Sequence, residues 1–146
     1  MNTIKKFFVY GTLRKGANLP DNLKFIAETD KYQLTYYNAY LPNSKLYMDQ
    51  NKEYPIIVHD KEIYSSEDIV KGNIIESTNF EETLKNFDMW EDYPINYNRK
   101  EIEAINIDKG NIKENAILYI GNDKLNISML HDINCNDYFE YLKRIH

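Results

Sequence analysis

The sequence predicts an α+β fold with a largely antiparallel or mixed sheet curled into a barrel. Short segments rich in Tyr, Ile and Val recur along the chain, each bounded by turn residues. One amphipathic helical period interrupts them between Asn79 and Glu91, and a second closes the chain. No regular strand–helix alternation links these segments, which argues against a doubly wound sheet. At 146 residues the chain is expected to form one domain, residues 1–146, large enough for a real core.

Taken in order, Phe7 to Tyr10 is a nearly continuous apolar run that suits a buried central strand and stops at Gly11. Further strands are expected at Tyr32–Tyr40, Lys45–Met48, Pro55–His59 and Val70–Glu76. A helix then starts after Asn79, which suits an N-cap, with Glu82 three residues on as in a capping box. Phe80, Leu84 and Phe87 form its apolar stripe, and Pro94 sets its limit. Arg99–Ile107 and Asn115–Ile120 read as two strands joined across Asp108-Lys109-Gly110-Asn111. A last helix begins near Asn136 or Asp137, with Tyr138, Tyr141, Leu142 and Ile145 on one face.

Composition narrows the function. The net charge of −5 and pI near 5.2 leave no basic footprint, which argues against a nucleic-acid partner. A single Cys135 leaves no intrachain disulfide framework and fits a reducing compartment. His59, His131 and His146 show no metal-ligand spacing, so neither a metal nor another cofactor is expected. The apolar run after Lys5-Lys6 is too short for a signal segment, and no stretch reaches the length of a membrane span. The expected setting is cytoplasmic, with no membrane partner.

Glu91 breaks the pattern of its helix. At about 100° per residue it returns to within roughly 20° of Phe80, on the apolar stripe. An ionised carboxylate there is costly unless paired, hydrated or used in chemistry, and the helix C-terminus further disfavours negative charge. A salt bridge with Arg99, an escape to solvent at the helix end, and a role in chemistry all fit this position. The loop Gly11-Thr12-Leu13-Arg14-Lys15-Gly16 has its own logic. A strand that ends in Gly, with another Gly close behind, can aim backbone N–H groups at a carboxylate, a phosphate or a carbonyl oxygen. A plain turn fits the same residues. The spacing is not that of a P-loop.

Phe8-Val9-Tyr10-Gly11-Thr12-Leu13-Arg14-Lys15-Gly16 resembles the opening motif of the gamma-glutamylcyclotransferase-like superfamily, which includes the AIG2-like proteins and gamma-glutamylamine cyclotransferases. Tyr54-Pro55-Ile56-Ile57-Val58 and Val70-Lys71-Gly72 follow in the family's order. Asp88-Met89-Trp90-Glu91-Asp92-Tyr93-Pro94, then Tyr97-Asn98-Arg99, resembles its Asp-x-x-Glu-x-Tyr-Pro…Tyr-x-Arg signature. Ala116–Ile120 and Asn136-Asp137-Tyr138 complete the match over nearly the whole chain.

The resemblance implies a small mixed six-stranded β-barrel with flanking helices and a cavity at one end. It also implies cyclisation of a small-molecule gamma-glutamyl amine or peptide to 5-oxoproline. In that reading Glu91 is the general base and acid, and Tyr10, Gly11, Thr12 and Leu13 form the substrate-binding loop. Arg99 would hold the substrate carboxylate or pair with Asp88, Glu91 or Asp92. Tyr119 would line the cavity or serve as core with its hydroxyl at the rim. The chain departs from the family pattern at Asp92, where Gly is usual, and at Asn136 before Asp137. A non-catalytic module binding a small carboxylate on the same barrel is the alternative function.

Overall fold

The computed structural model describes residues 5–10, 34–48, 55–90, 97–121 and 130–145. Among them are strands β1 (Lys6–Val9), β2 (Thr35–Pro42), β3 (Ser44–Met48), β4 (Pro55–His59) and β5 (Ile69–Glu76). After these come helix α1 (Phe80–Trp90), β6 (Tyr97–Asn106), β7 (Ile112–Gly121), β8 (His131–Asp132) and helix α2 (Tyr138–Ile145).

Five strands close into a barrel in the order β1-β5-β2-β6-β7. The ring is mixed: β1 runs parallel to β7, with Phe7 beside Ile117, and its other pairings are antiparallel. The mixed barrel is the expected one; among the described residues its ring holds five strands where six were expected, with β4-β3-β8 as a separate sheet. Asn43 marks the boundary between the two sheets. Its φ of 57° lies in the left-handed region that Asn tolerates. The chain turns there, so that β2 stays against β5 while β3 leaves to pair with β4. The two-residue β8, which completes that sheet against Tyr47 and Met48, is too short to show a period in sequence.

Alternation decides the two faces of each barrel strand. Phe8, Ala39, Leu41, Val70, Ile74, Ile102, Ala104, Ala116 and Leu118 belong to one buried cluster that fills the barrel, together with Leu46, Met48 and Ile57 of the second sheet. Tyr138 of α2 joins this cluster, and Phe139, Tyr141 and Leu142 pack against it. The small residues matter, because a ring of five strands leaves little room inside. Gly72 is the limiting case: a Cβ there would stand 2.2 Å from the Val9 carbonyl oxygen and 2.8 Å from Phe8 Cζ. The Val9 carbonyl, with the Phe8 ring behind it, therefore occupies the space that a side chain at position 72 would need.

The opposite strand faces carry the second cluster. Phe7, Val9, Ile75 and Tyr119 are covered by Phe80 and Phe87 of α1, with Leu84 alongside. The Phe7 ring lies 5.0 Å from Phe80 and 4.7 Å from Phe87, so the apolar stripe read in the sequence is the face that binds α1 to the barrel. Asn79 precedes the helix as expected, and its carbonyl accepts the Thr83 N–H at 3.1 Å. At α2, Asp137 Oδ1 accepts the Phe139 N–H at 2.9 Å, which is an N-cap.

The hairpin between β6 and β7 extends further than expected. Its ladder reaches Asn106 opposite Ile112, so β7 starts at Ile112 instead of Asn115. Gly110 (φ 83°) and Asn111 (φ 63°) take the left-handed conformations that close the turn. Beside it, Glu114 is nearly buried, ion-paired with Lys6 and with Lys109 at 3.4 Å, and accepts from Asn106 Nδ2 at 2.6 Å. Lys6 opens β1 and Glu76 closes β5, so this ionic group sits at the barrel end opposite Tyr10.

Candidate functional site

Gly11, Thr12, Leu13 and Glu91 lie outside the described residues, as does the Asp92–Asn96 tract. The structure describes the elements that lead into them and three of the sequence-predicted neighbours: Tyr10, Arg99 and Tyr119.

Tyr10 follows β1 directly and is 9% exposed, in the barrel cluster. The parallel register of Phe7 with Ile117 brings Val9, two residues on, level with Tyr119 of β7. Tyr119 is 4% exposed and lies in the cluster beneath α1, not among the side chains inside the barrel. Its hydroxyl donates to Asp88 Oδ1 at 2.5 Å. Asp88 stands in the last turn of α1, three residues before Glu91. The described ends of β1 and α1 therefore meet at one end of the barrel, although their motifs are about eighty residues apart in sequence.

Arg99 joins the same group. It sits directly across the ladder from Tyr119, so both side chains share a face of the β6–β7 pair. Arg99 Nη1 lies 3.4 Å from Asp88 Oδ2. Both oxygens of Asp88 are engaged, one by a phenol from β7 and one by a guanidinium from β6. Among the described residues Arg99 pairs with Asp88, while Glu91 and Asp92, the other carboxylates expected for it, lie outside them. Sequence reasoning named Asp88 only as one partner among three. The signal that singles it out is the last turn of α1, which holds this carboxylate and no basic residue.

Two surface grooves lie elsewhere. One of about 690 Å³ is lined by His59, Lys61, Lys100, Glu101 and Lys113 among others, and one of about 590 Å³ by Tyr64, Asp68, Cys135 and Arg144 among others. Neither contains a sequence-predicted site residue. His59 Nδ1 is 2.9 Å from the buried Ser44 hydroxyl, and burial, then the nearby Lys100, push the imidazole below its ordinary range. Tyr64 shares a 2.6 Å hydrogen bond with Tyr47, and burial is the main cause that raises its phenol to about 12. Among the described residues no three His, Cys, Asp or Glu side chains group as metal ligands, and no helix is long and apolar enough to cross a membrane.

Comparison with known proteins places this arrangement. The crystal structure of an AIG2-like protein from Mus musculus superposes with a TM-score of 0.62 at 19% identity, over 88% of this chain and 83% of that one. A solution structure from Arabidopsis thaliana gives 0.66 at 22% identity, over 100% of this chain and 76% of that one. A solved gamma-glutamyl cyclotransferase gives 0.55 at 16% identity, over 80% of this chain and 66% of that one. At these identities the likeness is one of fold. No curated protein matches the sequence. The family model described as gamma-glutamyl cyclotransferase, AIG2-like, matches residues 7–140, from the second residue of β1 into α2. A match of that extent takes in the barrel, α1 and the start of α2, and the chain belongs to the gamma-glutamyl cyclotransferase, AIG2-like family.

Proposed function

We propose that the protein is a gamma-glutamyl cyclotransferase acting on a small gamma-glutamyl amine or peptide in the cytoplasm. The free α-amine of the gamma-glutamyl group attacks its own γ-carbonyl. A carbon–nitrogen bond closes the five-membered ring, the γ-amide bond breaks, and 5-oxoproline and an amine leave. The substrate supplies its own nucleophile, so proximity is already provided. The protein must take a proton from the attacking nitrogen, return one to the leaving nitrogen and stabilise the oxyanion.

Glu91 is the proton carrier in this reading. A carboxylate whose ionised form is disfavoured by an apolar stripe and a helix C-terminus has its proton affinity raised towards the range such a shuttle needs. The Tyr10, Gly11, Thr12 and Leu13 loop supplies backbone donors for the substrate's α-carboxylate or the oxyanion. Asp92, in place of the usual Gly, adds negative charge beside the site and disfavours strongly anionic substrates. The supporting observation is the family match, which includes both motifs, on a barrel that brings β1 and α1 to the same end.

The test is a panel of gamma-glutamyl amines and dipeptides, with release of 5-oxoproline as the readout. Glu91→Gln keeps shape and hydrogen bonding but carries no proton, so turnover should fall about 10²–10⁴-fold with the fold intact. A Glu91→Gln protein that turns over at the parent rate refutes the assignment. Ligand binding without turnover in the parent protein would support a carboxylate-binding module instead.

A further inference from the structure

We infer that Asp88 is a positioning residue, which fixes the last turn of α1 on the β6–β7 ladder and so sets where Glu91 is delivered. The inference rests on the proton-carrying role proposed for Glu91. Its structural basis is the group formed by Asp88, Arg99 and Tyr119.

A carboxylate in the last turn of a helix faces the negative end of the macrodipole, and α1 has no basic residue in that turn to offset it. The cation comes from another element. Arg99 reaches Asp88 Oδ2 at 3.4 Å from β6, while Tyr119 from β7 donates to Oδ1 at 2.5 Å. The two donors are direct cross-strand partners, so the strand ladder fixes the spacing between them. Tyr119 is 4% exposed and Asp88 about a quarter exposed, so the phenol–carboxylate bond forms largely out of solvent.

Apolar packing alone would leave the helix end less determined. Phe80 and Phe87 both rest on Phe7, and such apolar contacts, being non-directional, anchor the helix face without a directed bond at its last turn. A carboxylate held through both oxygens supplies that directed bond at the turn before Glu91. Proton transfer is sensitive to such placement, since an error of about 1 Å can cost on the order of 100-fold in rate.

The experiment compares Asp88→Ala, Asp88→Asn, Tyr119→Phe and Glu91→Gln in the full chain, with 5-oxoproline release resolved into kcat and KM. For Asp88→Ala we expect kcat to fall about 10–100-fold with KM within about threefold. Asp88→Asn, which still accepts from Tyr119, should recover part of that loss. Tyr119→Phe should lower kcat about tenfold, and adding it to Asp88→Ala should cost less than twofold more. Amide hydrogen exchange gives a readout independent of turnover. The last turn of α1 should exchange at least about tenfold faster in Asp88→Ala, with the first turn unchanged.

If Glu91→Gln is slow while the Asp88 and Tyr119 variants keep the parent kcat, the positioning role is refuted and the Glu91 role stands. If Glu91→Gln keeps the parent rate, the reading beneath both is refuted. If Asp88→Ala does not fold, Tyr119→Phe decides, and a Tyr119→Phe protein with unchanged kcat and unchanged exchange overturns the inference.

Discussion

Replacing Gly72 by Ala tests whether barrel closure sets the position of β1, and with it the approach to the candidate loop. The added Cβ would stand 2.2 Å from the Val9 carbonyl oxygen, whereas ordinary contacts begin near 3.4 Å, so strand and methyl group must separate by about 1 Å. The obstacle is backbone, with Phe8 Cζ second at 2.8 Å. β5 is held on both sides at this point, by Val9 opposite Asn73 in β1 and by Ala39 opposite Gly72 in β2. Neither neighbour can retreat without opening the ring. Overpacking usually costs about 1–3 kcal/mol, and a rigid backbone obstacle belongs at or above the upper end. Relief of glycine's strand entropy returns at most about 1 kcal/mol. The expected net loss is about 2–3 kcal/mol, or roughly 5–12 °C in Tm for a chain of this size. Urea and thermal denaturation measure it. Phe8→Leu should not rescue the variant, because the nearest atom is the Val9 oxygen. A Gly72→Ala protein melting within about 2 °C of the parent would refute this account, and rescue by Phe8→Leu would move the obstacle to the ring.

Two further perturbations act away from the site. Burial pushes the Glu114 carboxyl up, but hydrogen bonds from Lys6 and Asn106 and the charges of Lys6 and Lys109 outweigh it and leave it below its ordinary range. A depressed folded value means stability that is complete above the ordinary pKa and lost as pH falls through the folded one. Glu114→Gln should cost about 2 kcal/mol in urea unfolding at neutral pH, and should flatten the acid loss below about pH 4.5. No loss at neutral pH would mean that the lysines merely decorate the barrel end. His59 is likewise depressed, by burial first and then by Lys100, so its contribution is present above its ordinary value near 6.5 and disappears as pH falls through the folded value. The urea midpoint of the parent should therefore drop more steeply than that of His59→Gln between about pH 6.5 and 5, and parallel curves would contradict the burial of the imidazole.

The sequence by itself determined the elements whose signal is local. The period of Phe80, Leu84 and Phe87 marked both α1 and the face it buries, because a helix that covers a sheet needs one apolar stripe and shows it within three turns. Apolar or Tyr-rich runs marked β1 to β7, and the motifs around Tyr10 and Glu91 marked the family before any coordinates did. Tertiary structure decided what depends on distant partners. Among the described residues the turn at Asn43 separates β2 in the ring from β3 in the second sheet, a division that no alternation of Tyr and Ile encodes. Tyr119 had two compatible roles in sequence, since a strand pattern shows that a residue faces inward or outward but not what covers it. Here α1 covers it, and its hydroxyl meets Asp88. Arg99 had three acidic candidates close in sequence. The ladder that sets it opposite Tyr119 brings it within 3.4 Å of Asp88, the one of the three that the structure describes, because a side chain can only reach what the register of its strand brings within range.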